Sequence, residues 1–225
     1  MPIKKLSIMS IASSLLVTVC LSTMSKYHQE FKKEVASLQG RKKLLLHVCC
    51  GPCSVYPLIL LDKYFDITIY YTNDNIYPNS EYQKRLGELE RYLKMIEDEH
   101  YIKLVIPESH QDSFLKAISK YKDDKEGYRR CVKCYGMRMR EAFKYASSHH
   151  FDYCTTVMSI SNHKNANYIN ELGKKLEQEY GIKFLISDFK KDGGIDKNNE
   201  LNSKLDLYHQ SYCGCLYSYI NNGKK

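Results

Sequence analysis

The sequence predicts an α/β fold with a Rossmann-like, doubly wound and mainly parallel sheet, on three observations. Short apolar runs rich in β-branched and aromatic residues alternate with longer amphipathic stretches, the order that lays helices on both faces of a parallel sheet. A chain of 225 residues that is 43% hydrophobic and 27% charged is long enough to bury one substantial core and is not composed like a disordered chain. Adjacent cysteines, Cys49 and Cys50, fall at the carboxyl end of the first predicted strand, where such sheets gather their function.

Each element has its own justification. A helix over residues 25–38 stops at Gly40. Residues 43–48 (KLLLHV) read as a buried strand that breaks at Cys49-Cys50-Gly51-Pro52. Residues 54–64 are apolar enough for a packed helix, with Pro57 in its first turn. Residues 66–72 (DITIYYT) give a second strand. Asn79 or Ser80 caps a helix that runs to about residue 100. Residues 102–106 form a third strand, followed by helices over 111–120 and 131–149. Residues 153–158 form a fourth strand, 165–180 a helix and 183–186 a fifth strand. Residues 192–202, rich in Gly, Asn and Lys, read as a mobile loop ahead of a final short helix. Residues 1–23 carry a basic start and an uncharged stretch with the outline of a signal or anchor. That stretch is Ser- and Thr-rich and barely reaches a membrane span. It is expected to be an extension outside a single catalytic domain over residues 24–225, with no stable membrane partner.

Chemistry is carried by the cysteines. Seven of nine fall into three tight groups: Cys49, Cys50 and Cys53; Cys131 and Cys134; Cys213 and Cys215. Spacings of zero to two residues let thiols share a metal or exchange a disulfide. Cys131 and Cys134 lie three apart near a helix start, where both thiols share one side and the dipole favours thiolate. The first two groups can converge on one soft centre, a tetrahedral zinc or an iron–sulfur cluster. Their separation is too great for a compact zinc finger. A metal-free thioredoxin-like reading of Cys50 and Cys53 leaves Cys49, Cys131 and Cys134 unexplained. Cys20 and Cys154 read as apolar fillers. Reduced, metal-binding thiols point to the cytoplasm. A net charge of +8 suits a phosphate-bearing partner as well as a lysine-rich surface. No Gly-rich phosphate loop is present, so nucleotide hydrolysis is not predicted.

At HVCCGPCS (47–54), CVKCYGMRM (131–139) and LYHQSYCGCLYS (207–218) the chain resembles the epoxyqueuosine reductases of the QueH type. Further matches are YTNDNIYPNSEYQKR (71–85), TTVMSISNHKN (155–165) and DFKK (188–191), so the likeness covers most of residues 25–220. The resemblance implies a metalloenzyme that removes the epoxide oxygen of epoxyqueuosine at the wobble position of tRNA, a two-electron, two-proton reduction. It implies a [4Fe–4S] cluster held by Cys49, Cys50, Cys131 and Cys134, and a redox-active disulfide between Cys213 and Cys215. It leaves Cys53 open, with an additional iron beside the cluster as one option, and does not identify the electron donor. The fold is, by analogy, of the adenine-nucleotide hydrolase-like kind. His209 stands where the family commonly has Arg, and Asn198-Asn199 where it has a basic-Ser step. A metal-free thiol–disulfide oxidoreductase and a zinc-stabilised tRNA-binding module are the rival functions.

Single residues have plainer readings beside the functional ones. His47 is expected as a hydrogen-bonded core histidine. His163 and Asp188 are candidate proton donors, and Asn73, Asn75 and Tyr77 candidate pocket residues at the same sheet end. Glu81 and Arg85 read as a helix-surface pair, and Arg129 and Arg130 as exposed bases beside the thiols.

Overall fold

The computed structural model describes residues 26–98 and 100–222. Its sheet has five parallel strands in the order β3-β2-β1-β4-β5, so the doubly wound arrangement is present. The strands are β1 (Lys42–His47), β2 (Phe65–Tyr70), β3 (Lys103–Val105), β4 (Tyr153–Thr156) and β5 (Lys183–Phe184). Helices α1 (Lys26–Ala36), α2 (Gly51–Leu61) and α3 (Asn79–Met95) precede β3. Then come α4 (Gln111–Ser119), α5 (Arg129–Ser148), α6 (Ala166–Tyr180), α7 (Gly194–Lys204) and α8 (Leu216–Asn222). β1 pairs with β2 from Lys42 opposite Phe65 to His47 opposite Tyr70, and with β4 from Leu44 opposite Tyr153. The extension expected over residues 1–23 lies outside the described residues. No helix among the described residues is long and apolar enough to cross a membrane.

The two-residue period of β1 divides the core between the two faces. Leu44 and Leu46 pack with Val55, Leu58, Leu86 and Leu89 from α2 and α3. Leu45, pointing the other way, packs with Phe114, Met139, Phe143 and Ile169 from α4, α5 and α6. Helices therefore cover both faces, and the chain reverses its direction of travel across the sheet between β1 and β4. That reversal opens a crevice at the strands' carboxyl ends, the usual ligand position in this architecture.

Two local expectations are corrected. Residues 192–202 are not a loop: α7 spans Gly194–Lys204 and packs on α2, burying Asn198 and Asn202. α2 begins at Gly51 rather than at residue 54, so Pro52 occupies its first turn and Pro57 lies inside the helix.

α1 is held against the sheet by Phe31 and Val35 and by Glu34, which accepts hydrogen bonds from Tyr153 and from Lys183 Nζ at 2.6 Å. Burial would raise the Glu34 pKa, but these two donors prevail and lower it. A depressed folded-state pKa means that the stabilisation is complete above the unfolded carboxylate value and is lost as pH falls through the folded one. Amide protection in α1 is therefore expected to drop as pH falls below the ordinary glutamate value of about 4.3, and Glu34→Gln is expected to flatten that loss. Hydrogen exchange at matched temperature checks it, and an unchanged pH profile in the variant refutes it.

Candidate thiol-lined active site

The turn after β1 carries the first cysteines. Cys50 is the residue before α2 and is extended, with φ of −171°, so Cys49, Cys50 and Cys53 fold back on one another. Their sulfurs all lie within 4.8 Å of one another, and Cys49 Sγ is 3.9 Å from Cys50 Sγ. Gln210 donates to Cys50 Sγ at 3.4 Å. The Cys50 and Cys53 thiols hydrogen-bond to Cys49 and hold its pKa well below the ordinary thiol value, with Lys164 and Arg138 adding to the effect. The contact with Cys49, together with burial, pushes Cys50 up to about 12 against an opposing effect of Cys53, and the contacts with Cys49 and Cys50 push Cys53 well above its usual value.

Two asparagines hold this turn in shape, a role the sequence reading assigned to neither, although it named Asn198 as a departure from the family pattern. Asn198 Nδ2 and Asn202 Nδ2, one helical turn apart on α7, both donate to the Pro52 carbonyl, at 3.0 and 2.9 Å. Asn198 Oδ1 accepts from Tyr56 N–H at 3.3 Å. Their i,i+4 spacing was the available signal.

Cys131 and Cys134 sit in the first turns of α5, both buried. Gly127 N–H donates to Cys131 Sγ at 3.1 Å. Burial raises both thiols, Cys134 to about 12 even with Arg138 opposing it. The helix dipole was expected to favour thiolate here; desolvation is the larger effect. Both thiols feel the charges of Cys213 and Cys215, so the tail returns to the start of α5. Eight cysteines among the described residues are free, Cys213 and Cys215 included.

Arg138 links the thiol groups. It stands at the i+7 position from Cys131 on one face of α5, and it is 3% exposed. Burial works against its charge, but Cys134, Cys49 and Cys213 sustain it, and it donates to Asn73 Oδ1. Lys164, after β4, is similarly opposed by burial and is held charged by Cys213, Cys49 and Cys53. Neither cation was singled out as a site residue from sequence; the 131-134-138 stripe was the cue for Arg138.

The tail that bears Cys213 and Cys215 is fastened to α3. Arg85, 3% exposed, donates to the Cys213 and Tyr212 carbonyls at 3.1 and 3.0 Å and to Glu81 at 2.7 Å. Tyr77 N–H donates to the Gly214 carbonyl at 2.8 Å. Gly214 has φ of +127°, and a Cβ there would meet Arg85 Nη1 at 3.0 Å and Asn75 Nδ2 at 3.2 Å. Only glycine passes this point without strain. The Glu81–Arg85 pair, expected on the helix surface, is thus a buried clamp.

Cys49 and Cys213 line one cavity of about 320 Å³, with Asn73, Asn75, Arg85, Arg138, His163 and Lys164 around it. Asn73 and Asn75 are where the sequence placed them, while Tyr77 does not line the cavity and packs its ring against Tyr219. His47 is a core histidine, with Nδ1 2.7 Å from Thr156 Oγ1 and Nε2 3.3 Å from the Thr72 carbonyl. Burial, then the Arg138 charge, lowers it to about 3, so it stays neutral. Asp188 does not line the cavity and pairs with Lys190 at 3.3 Å. Arg130, expected on the surface, is 2% exposed and donates to the Lys122 carbonyl at 2.9 Å; Arg129 is exposed and pairs with Asp124.

An all-sulfur donor set suits a soft metal. A single tetrahedral ion with metal–sulfur bonds of about 2.3 Å spaces its sulfurs roughly 3.8 Å apart, close to the Cys49–Cys50 separation. Among known proteins, the family model for epoxyqueuosine reductase QueH matches residues 44–221. The chain is 37% identical to the epoxyqueuosine reductase QueH of Staphylococcus epidermidis over 81% of its own length and 79% of that protein. It is 33% identical to the Streptococcus pyogenes protein of that name (79% and 71% covered) and 29% identical to the Thermotoga maritima one (81% and 93%).

Proposed function

The chain belongs to the epoxyqueuosine reductase QueH family, and from that premise we propose that it reduces epoxyqueuosine to queuosine in tRNA. The observation that carries the reading is the single basic cavity at the sheet's switch point, which Cys49 and Cys213 enter from distant parts of the chain. Cys49, Cys50, Cys131 and Cys134 are the proposed holders of a [4Fe–4S] cluster. When bound, such a cluster would supply low-potential electrons.

The chain's own residues account for the rest. Removing the epoxide oxygen as water and leaving an alkene consumes two electrons and two protons. Oxidation of the Cys213 and Cys215 dithiol to a disulfide releases that number of each, and an external electron donor then resets the pair. Arg138 and Lys164 place positive charge where negative charge develops on the departing oxygen. His163, at the cavity wall, is in position to pass a proton. Arg85 holds the Cys213 loop against the cavity. The cytoplasmic location and the single catalytic domain belong to this same reading.

The test is chromatography of nucleosides from epoxyqueuosine-bearing tRNA before and after incubation with anaerobically reconstituted protein and a chemical reductant. Conversion to queuosine supports the proposal, and its absence with metal-loaded protein refutes it. Cys213→Ser is expected to keep the metal content of the wild type yet stop after at most one turnover. Loss of metal instead would move Cys213 into the ligand set.

One observation favours a second reading of the metal. The tight spacing of Cys49, Cys50 and Cys53 fits a single ion, either an additional iron or a zinc, in this trio. Metal analysis separates the cases: about four irons per chain for the cluster alone, more if the trio is also filled, and zinc without iron for a structural site.

A further inference from the structure

A second groove of about 560 Å³ runs beside the cavity, lined by Tyr121, Tyr128, Arg129, Val132, Lys133 and Tyr168. Tyr128 is 63% exposed, Tyr168 55% and Val132 37%. Clustered exposure of large apolar side chains marks an interaction site rather than ordinary surface. The groove and the cavity share a rim: Glu126 lines the cavity, and the next residue, Gly127, lines the groove while its N–H reaches Cys131. A ligand spanning that rim passes beside the Gly127–Cys131 contact.

The charge around the rings selects the partner. Arg129 and Lys120 lie over the Tyr121 ring, at 5.4 and 5.0 Å from its centroid. Six basic residues stand against three acidic ones between 120 and 133. Solvent-facing rings set among cations are the means by which proteins hold unpaired nucleotides: the bases stack and the backbone phosphates are attracted. A hydrophobic protein interface would instead be depleted of charge at its centre.

We propose that this groove binds an unstacked nucleobase of the RNA, held against Tyr128 and Tyr168, next to the nucleotide that enters the thiol-lined cavity. The assignment rests on the reading of the chain as an enzyme that acts on tRNA. It gives the two tyrosines the task of presenting the anticodon loop, separate from the chemistry at the cysteines.

Fluorescence anisotropy with a synthetic anticodon stem-loop RNA that lacks the epoxide tests the groove without turnover. Tyr128→Ala and Tyr168→Ala are each expected to weaken RNA binding by about fivefold to a hundredfold, the range for losing one stacked base. Tyr128→Phe and Tyr168→Phe keep the ring face and are expected to bind as the wild type does. The salt dependence of binding should stay unchanged in the alanine variants, because no phosphate contact is removed. Thermal melting of each variant separates lost binding from lost folding, and the phenylalanine pair decides the matter if an alanine variant unfolds. Wild-type RNA affinity in the double alanine variant overturns the proposal and leaves the face to a protein partner. A phenylalanine variant that weakens binding as much as alanine overturns it as well. Tyrosine-dependent RNA binding by a protein that leaves the epoxide intact would sink the reductase reading and keep the groove. Epoxide reduction with RNA affinity indifferent to both alanines would sink the groove alone.

Discussion

Replacing Cys131 by serine is expected to strip the metal and to cut epoxide reduction by more than the roughly 10- to 100-fold that loss of a supporting partner costs a metal site. A serine hydroxyl is a hard, weakly acidic donor, whereas the proposed centre is soft. Cys131 is 7% exposed on the third residue of α5, so no neighbouring water has ready access to replace the lost sulfur. Its pKa is raised in the protein without metal, which means that metal binding itself must drive the proton off. Iron content and absorption near about 400 nm after anaerobic purification, together with single-turnover reduction, measure the effect. A brown, fully active Cys131→Ser protein would refute the assignment of Cys131 as a ligand.

Arg85→Met is the second large effect, and it acts on the fold. Its side chain is 3% exposed and that of its partner Glu81 is 11% exposed. Removing Arg85 leaves the largely buried Glu81 carboxylate without its counter-charge, with the Tyr208 hydroxyl still donating to it at 3.1 Å, at about 3–5 kcal/mol. For a chain of this size that lowers Tm by roughly 6–20 °C. Two carbonyls of the Cys213 loop lose their donor as well, so alkylation of Cys213 should speed up more than that of other thiols. Glu81→Gln combined with Arg85→Met should recover part of the stability, since the orphaned carboxylate is gone. Calorimetry and timed thiol labelling are the measurements. An unchanged Tm and labelling rate in Arg85→Met would show that the pair does not clamp the loop.

The sheet was legible because its signals are local. β1 announces itself by Leu44-Leu45-Leu46, and α3 and α6 by their apolar period, so all five strands and their parallel direction could be anticipated, although the cap of α3 is Pro78 rather than Asn79 or Ser80. α7 could not. Gly193-Gly194 and its asparagines weigh against helix, and what decides the matter is tertiary: α7 packs on α2 and its asparagines meet the Pro52 carbonyl. The cysteines were likewise visible as spacings, and Cys49, Cys50 and Cys53 do gather. Arg138 and Lys164 were not picked out, because a long cationic side chain carries no local mark of where its head lies. The same holds for Glu81 and Arg85, whose i,i+4 spacing is equally that of a surface pair; the tail that covers them is more than 120 residues away.

The hydrogen bonds from Asn198 and Asn202 to Pro52 cross 146 and 150 residues. During synthesis the first cysteines leave the ribosome long before the helix that shapes their turn exists. Until then those thiols belong to a short flexible segment that any scavenging metal or oxidant can reach. Shaping of that turn is therefore a late event, set by completion of the polypeptide.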